Sequence, residues 1–172
     1  QNPEPEEEQL MSISKLATTG QTTPRTVRLL GHIGEQEVLI LVDSGSSHTF
    51  ISEAIAGKFT DRVRAMAPVA VKIADGGLLS CSGYISQCKW EVQGQEFSTD
   101  LRVLSLGCYD MVIGMDWLES CGPMMVDWVR KTLTFQHEGD TVLLQGLCPK
   151  MQQPAQISLS QLEEMERNDS IV

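Results

Sequence analysis

Short apolar runs rich in β-branched residues, separated by glycine-containing turns, follow one another through most of the chain. Four such turns separate pairs of runs: Gly34-Glu35, Asp75-Gly76-Gly77, Gln93-Gly94-Gln95 and Glu138-Gly139-Asp140. Turns of this kind between strand-like segments are typical of β-hairpins. The regular hairpin spacing predicts an all-β, mostly antiparallel domain, with short helices only near residues 52–58 and 116–120.

The pattern changes at both ends of the chain. Residues 1–24 contain the run Glu6-Glu7-Glu8 and few apolar residues, which predicts a disordered acidic and polar tail. The continuous strand pattern predicts one folded domain over residues 25–147. Residues 148–172 are interpreted as a linker or C-terminal tail, in which the capping-box pattern Ser160-Gln161-Leu162-Glu163 favours a short helix.

Charge and composition restrict the partners of this segment. With 13 Lys and Arg against 23 Asp and Glu, the net charge is −10, which argues against nucleic acid or an anionic membrane surface. No apolar run approaches the roughly 18 residues that a membrane span needs. The five cysteines form no CxxC and the three histidines show no zinc spacing, so we expect reduced thiols, no metal and no other cofactor.

The most informative stretch is the apolar run Val38–Val42, which leads directly into Asp43-Ser44-Gly45-Ser46. A carboxylate at the end of a buried strand is costly unless it is hydrogen-bonded, paired or protonated. One interpretation is an Asx turn, in which Asp43 bonds the amide of Gly45 or Ser46. The other is a catalytic carboxylate, and the local residues alone leave both open.

Two later features of the sequence favour the catalytic interpretation. The glycine hairpin Asp75-Gly76-Gly77 is followed by the stretch 110–118, in which apolar residues lead into a glycine and then Met-Asp-Trp-Leu. In this order the features resemble the retropepsins. The stretches 41–51 and 110–118 are especially similar to the protease of gypsy-type long-terminal-repeat retrotransposon Gag-Pol polyproteins, in particular plant ones. The resemblance covers about residues 25–147.

This resemblance implies a closed antiparallel β barrel, the fold of an acid-protease half, with one short helix after the apolar-apolar-Gly motif. It also implies an aspartic endopeptidase in which two aspartates activate one water. Like charges so close cannot both ionise, so one acts as base and the other as acid. Because the chain contains one Asp-Ser-Gly, a homodimer is implied, with one Asp43 from each copy.

The resemblance also assigns roles to individual residues. Asp43 would act on the lytic water, while Ser44, Gly45 and Ser46 would form the active-site loop. A substrate-binding flap would be formed by Ala74, Asp75, Gly76, Gly77 and Leu78. Ile113 and Gly114 would pack behind the loop and support it. The substrate would be the protein's own retroelement polyprotein, cleaved in the cytoplasm or within virus-like particles.

Other interpretations compete with this one. Asp110 precedes an apolar strand and Asp116 begins a helix, so both are better explained as structural residues. Ser44 and His48 could suggest a serine hydrolase, but the Gly-x-Ser-x-Gly elbow is missing. The alternative from a different class is a catalytically silent retropepsin-like module that dimerises or binds peptides.

Overall fold

The computed structural model describes residues 11–20 and 22–148. Its strands are, in chain order, β1 (Met11–Ile13), β2 (Val27–Ile33), β3 (Gln36–Val42), β4 (Phe50–Ser52), β5 (Arg64–Ile73), β6 (Leu78–Val92), β7 (Gln95–Leu104), β8 (Met111–Ile113), β9 (Met124–Asp127), β10 (Thr132–His137) and β11 (Asp140–Gln145). Its helices are α1 (Lys15–Thr19), α2 (Glu53–Ala56) and α3 (Met115–Ser120). The expected hairpins and the helices near residues 52–58 and 116–120 are therefore confirmed.

Six of the strands close into a barrel. They run in the order β6-β2-β3-β8-β4-β7, and a further pairing between β6 and β7 joins the two ends. Strand β5 pairs with the first part of β6, and β1 pairs with the outer edge of β5. Strands β11, β10 and β9 form a separate antiparallel sheet. The predicted all-β closed barrel, with a short helix α3 after Gly114, is thus confirmed.

The expectation of antiparallel pairing holds for the hairpins but not for every strand pair. Strand β3 pairs in parallel with β8, β4 with β7, and β1 with β5. Parallel neighbours cannot be joined by a tight turn and come from distant parts of the chain. Glycine turns in the sequence predict hairpins and carry no signal for such long-range pairs.

The predicted disorder over residues 1–24 is wrong for residues 11–20, which fold onto the barrel. Met11 and Ile13 are buried on one face of β1, and Ala17 is buried in α1. The Ser14 hydroxyl accepts a hydrogen bond from the amide of Ala17 and so caps the helix. These few apolar side chains are enough to order the segment, because they pack against a core that other strands already form. Residues 1–10, 21 and 149–172, including the predicted C-terminal helix, lie outside the described part of the chain.

The buried residues form two clusters. The larger lies inside the barrel and extends to the β9-β10-β11 sheet through four rings: Trp90, Phe97, Trp117 and Phe135. The smaller contains Met11, Ile13, Leu41 and Val112 and lies between β1, the β5-β6 hairpin and the strands that lead to Asp43. Among the described residues, no helix is both long and apolar enough to cross a bilayer.

We predict that Phe135→Ala destabilises the protein by about 3–5 kcal/mol, because the ring packs edge-on against Trp117 and ties the small sheet to helix α3. Leu143→Ala is the matched control, because this leucine lies on the neighbouring strand with its side chain 58% exposed. The control should cost less than about 0.5 kcal/mol. Urea unfolding curves measure both values, and equal losses would contradict the core assignment.

Candidate active site

The loop that follows β3 places Asp43 at the mouth of the barrel. Strand β3 lies between β2 and β8, and Val42 pairs with Ile113. The Asp43 amide then donates to the Ile113 carbonyl at 2.9 Å, which continues this pairing by one residue. Asp43 is only 9% exposed. The expected carboxylate at the end of a buried strand is therefore present.

Hydrogen bonds compensate the burial of this carboxylate. Oδ1 accepts from the Gly45 amide at 3.0 Å, and Oδ2 accepts from the Ser46 hydroxyl at 2.7 Å. The Ser14 hydroxyl also donates to Oδ2. The Asx-type bond to Gly45 is thus real, and it accompanies a more extensive set of donors than a simple turn needs. Both carboxylate oxygens thus have hydrogen-bond donors, which hold the side chain in one orientation.

Ile113 and Gly114 lie directly behind the Asp43 loop. The Met115 amide donates to the Ser46 carbonyl at 2.8 Å, which joins the start of α3 to the loop. A Cβ atom on Gly114 would lie 2.1 Å from the carbonyl oxygen of His48. Only glycine permits this approach, so the apolar-apolar-Gly motif is a packing requirement of the Asp43 loop.

The other two aspartates near this region bind backbone and hydroxyl groups. Asp116 accepts from the Thr49 hydroxyl at 2.6 Å and from the Trp117 amide at 2.7 Å. Asp110 accepts from the Leu39 amide at 2.8 Å. Both side chains therefore hold strand and helix ends in place. The structural interpretation of these residues agrees with their contacts.

Ser44 and Gly45 are exposed at the end of the loop, whereas Ser46 is buried. The Ser47 hydroxyl, and not that of Ser44, lies 2.7 Å from Nδ1 of His48. This contact joins two sequence neighbours and does not involve the serine that the serine-hydrolase interpretation named.

The predicted flap residues form the exposed end of the β5-β6 hairpin. The Ile73 amide donates to the Gly77 carbonyl at 2.8 Å, and the Asp75 carboxylate accepts from the Gly77 amide at 3.0 Å. Gly76 has a φ of 99°, a backbone conformation that favours glycine. Ala74, Asp75, Gly76, Gly77 and Leu78 are all exposed. In the described structure, no hydrogen bond joins this tip directly to the Asp43 loop.

The connection between the β5-β6 hairpin and the Asp43 loop is instead made by residues 11–14, whose role the sequence pattern did not predict. Ile13 pairs with Ile73 of the hairpin, and Ser14 reaches the Asp43 carboxylate. The available signal was the alternation of Met11 and Ile13 with serines. Three strand residues in a polar segment are too few to outweigh the surrounding composition.

A cavity of about 620 Å³ adjoins the exposed side of the loop. Its lining includes Asp43 and Ser44 at one end and Leu118, Met124, Val126 and Trp128 along its wall. The cavity is thus mainly apolar and has a carboxylate at its margin. Such a surface suits a peptide or another protein chain better than a small polar ligand.

The cysteines are spread over the fold. Burial raises the pKa of the Cys81 and Cys88 thiols, and it raises the pKa of Cys121 to about 11. These thiols therefore stay protonated near neutral pH and behave as small apolar side chains. Across residues 11–20 and 22–148, no three His, Cys, Asp or Glu side chains form a group that could hold a metal.

We predict that Gly114→Ala destabilises the protein by at least about 1–3 kcal/mol, because the methyl group would meet the rigid backbone of His48. Gly107→Ala is the control, since its nearest neighbour would be the Thr18 carbonyl at 3.6 Å. We expect a change within about 0.5 kcal/mol for the control. Thermal unfolding measures both, and an unaffected Gly114→Ala protein would refute the close approach.

Comparison with known proteins agrees with this geometry. The sequence matches the family model described as retroviral aspartyl protease over residues 13–141. A search of curated proteins finds no significant match. The fold is similar to the retroviral protease-like domain of Ddi1 from Leishmania major, with a TM-score of 0.59 and 18% identity over 77% of this chain and 99% of that chain.

A second solved structure is the EIAV protease complexed with the inhibitor HBY-793, with a TM-score of 0.49 and 15% identity over 62% of this chain and 98% of that chain. At 18% identity, the likeness to the Ddi1 domain shows the fold alone. The family match is broader evidence, because it spans more than half of the sequence and includes the Asp43 loop, the β5-β6 hairpin and the Ile113-Gly114 motif. This chain belongs to the retroviral aspartyl protease family.

Proposed function

We propose that this protein is an aspartic endopeptidase that acts as a homodimer, with Asp43 of each copy sharing one lytic water. The observation that carries the proposal is the environment of Asp43: a buried carboxylate, held by the Gly45 amide and the Ser46 hydroxyl, at the margin of a large cavity. A carboxylate positioned so tightly at a cavity margin is suited to proton transfer.

The chemistry needs a second carboxyl group. One ionised carboxylate takes a proton from water as the water oxygen attacks the peptide carbonyl, and the protonated partner donates its proton to the carbonyl oxygen. Collapse of the resulting diol then breaks the C–N bond as the amine takes up a proton. Within the described residues, Asp110 and Asp116 are committed to other contacts. We therefore assign the second carboxyl to Asp43 of another copy.

The apolar cavity supports a location for the second copy. Ser44 is exposed beside Asp43, and Met124, Val126 and Trp128 of the β9 region continue the same wall. Nearby, Met125 is 73% exposed and Val129 is 89% exposed. Exposed apolar side chains in such a group favour a protein interface. A twofold axis beside Ser44 would bring the two Asp43 loops together and let their hydroxyls bond across the dimer.

The substrate is an extended peptide, which would add a strand below the flap hairpin while Gly76 and Gly77 close over it. The resemblance to gypsy-type Gag-Pol proteases supports the protein's own polyprotein as the natural substrate. Processing would then take place in the cytoplasm or within virus-like particles. No metal or organic cofactor takes part in this mechanism.

We predict that Asp43→Asn abolishes peptide cleavage while the protein stays folded, because the amide cannot take a proton from water. Asp140→Asn is the matched control, since this aspartate is exposed in β11, outside the proposed site. Cleavage of a fluorogenic peptide library measures activity, and circular dichroism reports folding. Cleavage by the Asp43→Asn protein would refute the assignment.

We also predict that the Asp43→Asn chain inactivates the native chain by forming mixed dimers with it. When equal amounts are unfolded together and refolded, about a quarter of the dimers contain two intact aspartates, so activity falls to about a quarter of an all-native sample. A site complete within one chain would retain about half. If neither sample cleaves any peptide but a stable dimer forms, the silent dimerisation or peptide-binding module becomes the better description.

A further inference from the structure

We infer that residues 11–20, here called the N-terminal strap, occupy the peptide-binding cleft of their own chain and exclude other peptides until they are displaced. The inference deepens the proposed function and rests on it only in taking the cleft to be the substrate site. Its basis is a set of contacts that connect the flap hairpin, the strap and the Asp43 loop.

The backbone of the strap is held along both edges. On one edge, Met11 pairs with Val71 and Ile13 with Ile73, so β1 extends the flap hairpin by one parallel strand. On the other edge, the Ser47 amide donates to the Ser12 carbonyl at 3.0 Å. The Ser12 amide donates to the Ser47 hydroxyl at 2.8 Å. A bound peptide that augments the flap sheet would use the same main-chain groups.

The side chains of the strap alternate as those of a bound extended peptide would. Met11 and Ile13 are 5% and 1% exposed and belong to the smaller apolar cluster together with Leu41 and Val112. Leu41 lies two residues before Asp43, and Val112 pairs with it across the sheet. The cluster thus provides two apolar subsites beside the carboxylate, and the strap fills both.

The strap ends at the carboxylate itself. Ser14 donates its hydroxyl hydrogen to Oδ2 of Asp43, and its amide donates to the Ser46 hydroxyl at 3.3 Å. The same Ser14 oxygen accepts from the Ala17 amide, so the chain turns into helix α1 at this point. The backbone of the strap is therefore no longer extended where it passes Asp43. The strap therefore binds like one half of a substrate without presenting a bond for hydrolysis.

Helix α1 carries the strap out along the surface that we assign to the second copy. Leu16 borders the apolar cavity beside Ser44. At the far end, Gly20 has a φ of 73°, and a Cβ atom there would lie 2.4 Å from Sγ of Cys108. The strap is thus anchored at both ends, and its helix competes with the partner loop as well as with peptide.

An occupant attached to the same chain has a high effective concentration, so a peptide in solution must compete with it. The apparent affinity for peptide equals the intrinsic affinity multiplied by the fraction of molecules whose cleft is open. Weakening the strap should therefore increase activity, whereas loss of an ordinary structural strand should decrease it. A strap that blocks the cleft and a strap that is only a structural strand therefore predict opposite changes in activity.

The first test is the double variant Met11→Ala/Ile13→Ala, which removes the side chains that fill the two subsites. Its matched control is Ile33→Ala, which shortens an equally buried isoleucine in the larger cluster, away from the strap. We expect kcat/KM for a fluorogenic peptide to rise on the order of tenfold for the double variant, mainly through a lower KM, and not to rise for the control. Unchanged or lower activity of a folded double variant overturns the inference.

A second variant tests the inference in case the double variant does not fold. Gly20→Ala should loosen the far anchor without altering the subsites, because its methyl group would collide with Cys108. It should raise kcat/KM in the same direction, and Gly107→Ala should not. If the double variant does not fold, activity of Gly20→Ala at or below the native level overturns the inference.

Binding distinguishes failure of this inference from failure of the proposed function. In an Asp43→Asn background, a labelled peptide with the sequence of residues 11–20 should bind the double variant at least about tenfold more tightly than the Ile33→Ala control. Hydrogen exchange at the Ser47 amide should be faster in the double variant and slow again when the peptide is added. Peptidase activity is measured separately in the native chain and in the double variant with Asp43 intact. Both binding effects, with no cleavage by either of these chains, support the strap and refute the enzyme. Cleavage by these chains without either binding effect refutes the strap.

Discussion

The structure depends on one constraint, which is that a carboxylate at the end of a buried strand must find donors within the protein. Asp43 meets it with the Gly45 amide, the Ser46 hydroxyl and the Ser14 hydroxyl. An unsatisfied buried charge would cost several kcal/mol, on the order of half the stability of a small domain. Each donor therefore has to be held in position, and the surrounding elements do this.

The supporting contacts spread outward from that carboxylate. Strand β8 fixes the Asp43 amide, and Gly114 lets the start of α3 approach the loop closely enough for the Met115 amide to bind the Ser46 carbonyl. Asp116 then binds Thr49 and fixes the other end of the loop. The strap supplies the remaining donor and at the same time fills the neighbouring apolar subsites. In a single copy of the chain, the strap therefore both hydrogen-bonds the Asp43 carboxylate and fills the cleft.

Local signals predicted the parts of this architecture that are local. Glycine turns marked the hairpins, and the apolar run before Asp43 marked the buried strand. The role of Gly114 was implied by the resemblance to retropepsins, and the structure gives its physical reason, because the close approach to the His48 backbone leaves no room for a Cβ atom. The parallel pairing of β3 with β8 could not, because it joins segments about 70 residues apart without a turn signal. Ser14 was missed for a similar reason, since its value lies in a contact 29 positions away.

The central claim is that hydrolysis needs two carboxyl groups around one water and that each polypeptide supplies one of them. The most direct measurement is the separation of the two Asp43 carboxyl groups in a crystal structure of the assembled protein with a peptide-like inhibitor. The account predicts that the nearest oxygens lie about 3 Å apart, as expected for carboxyls that share a proton. Two Asp43 side chains facing separate solvent regions in every assembled form would contradict it.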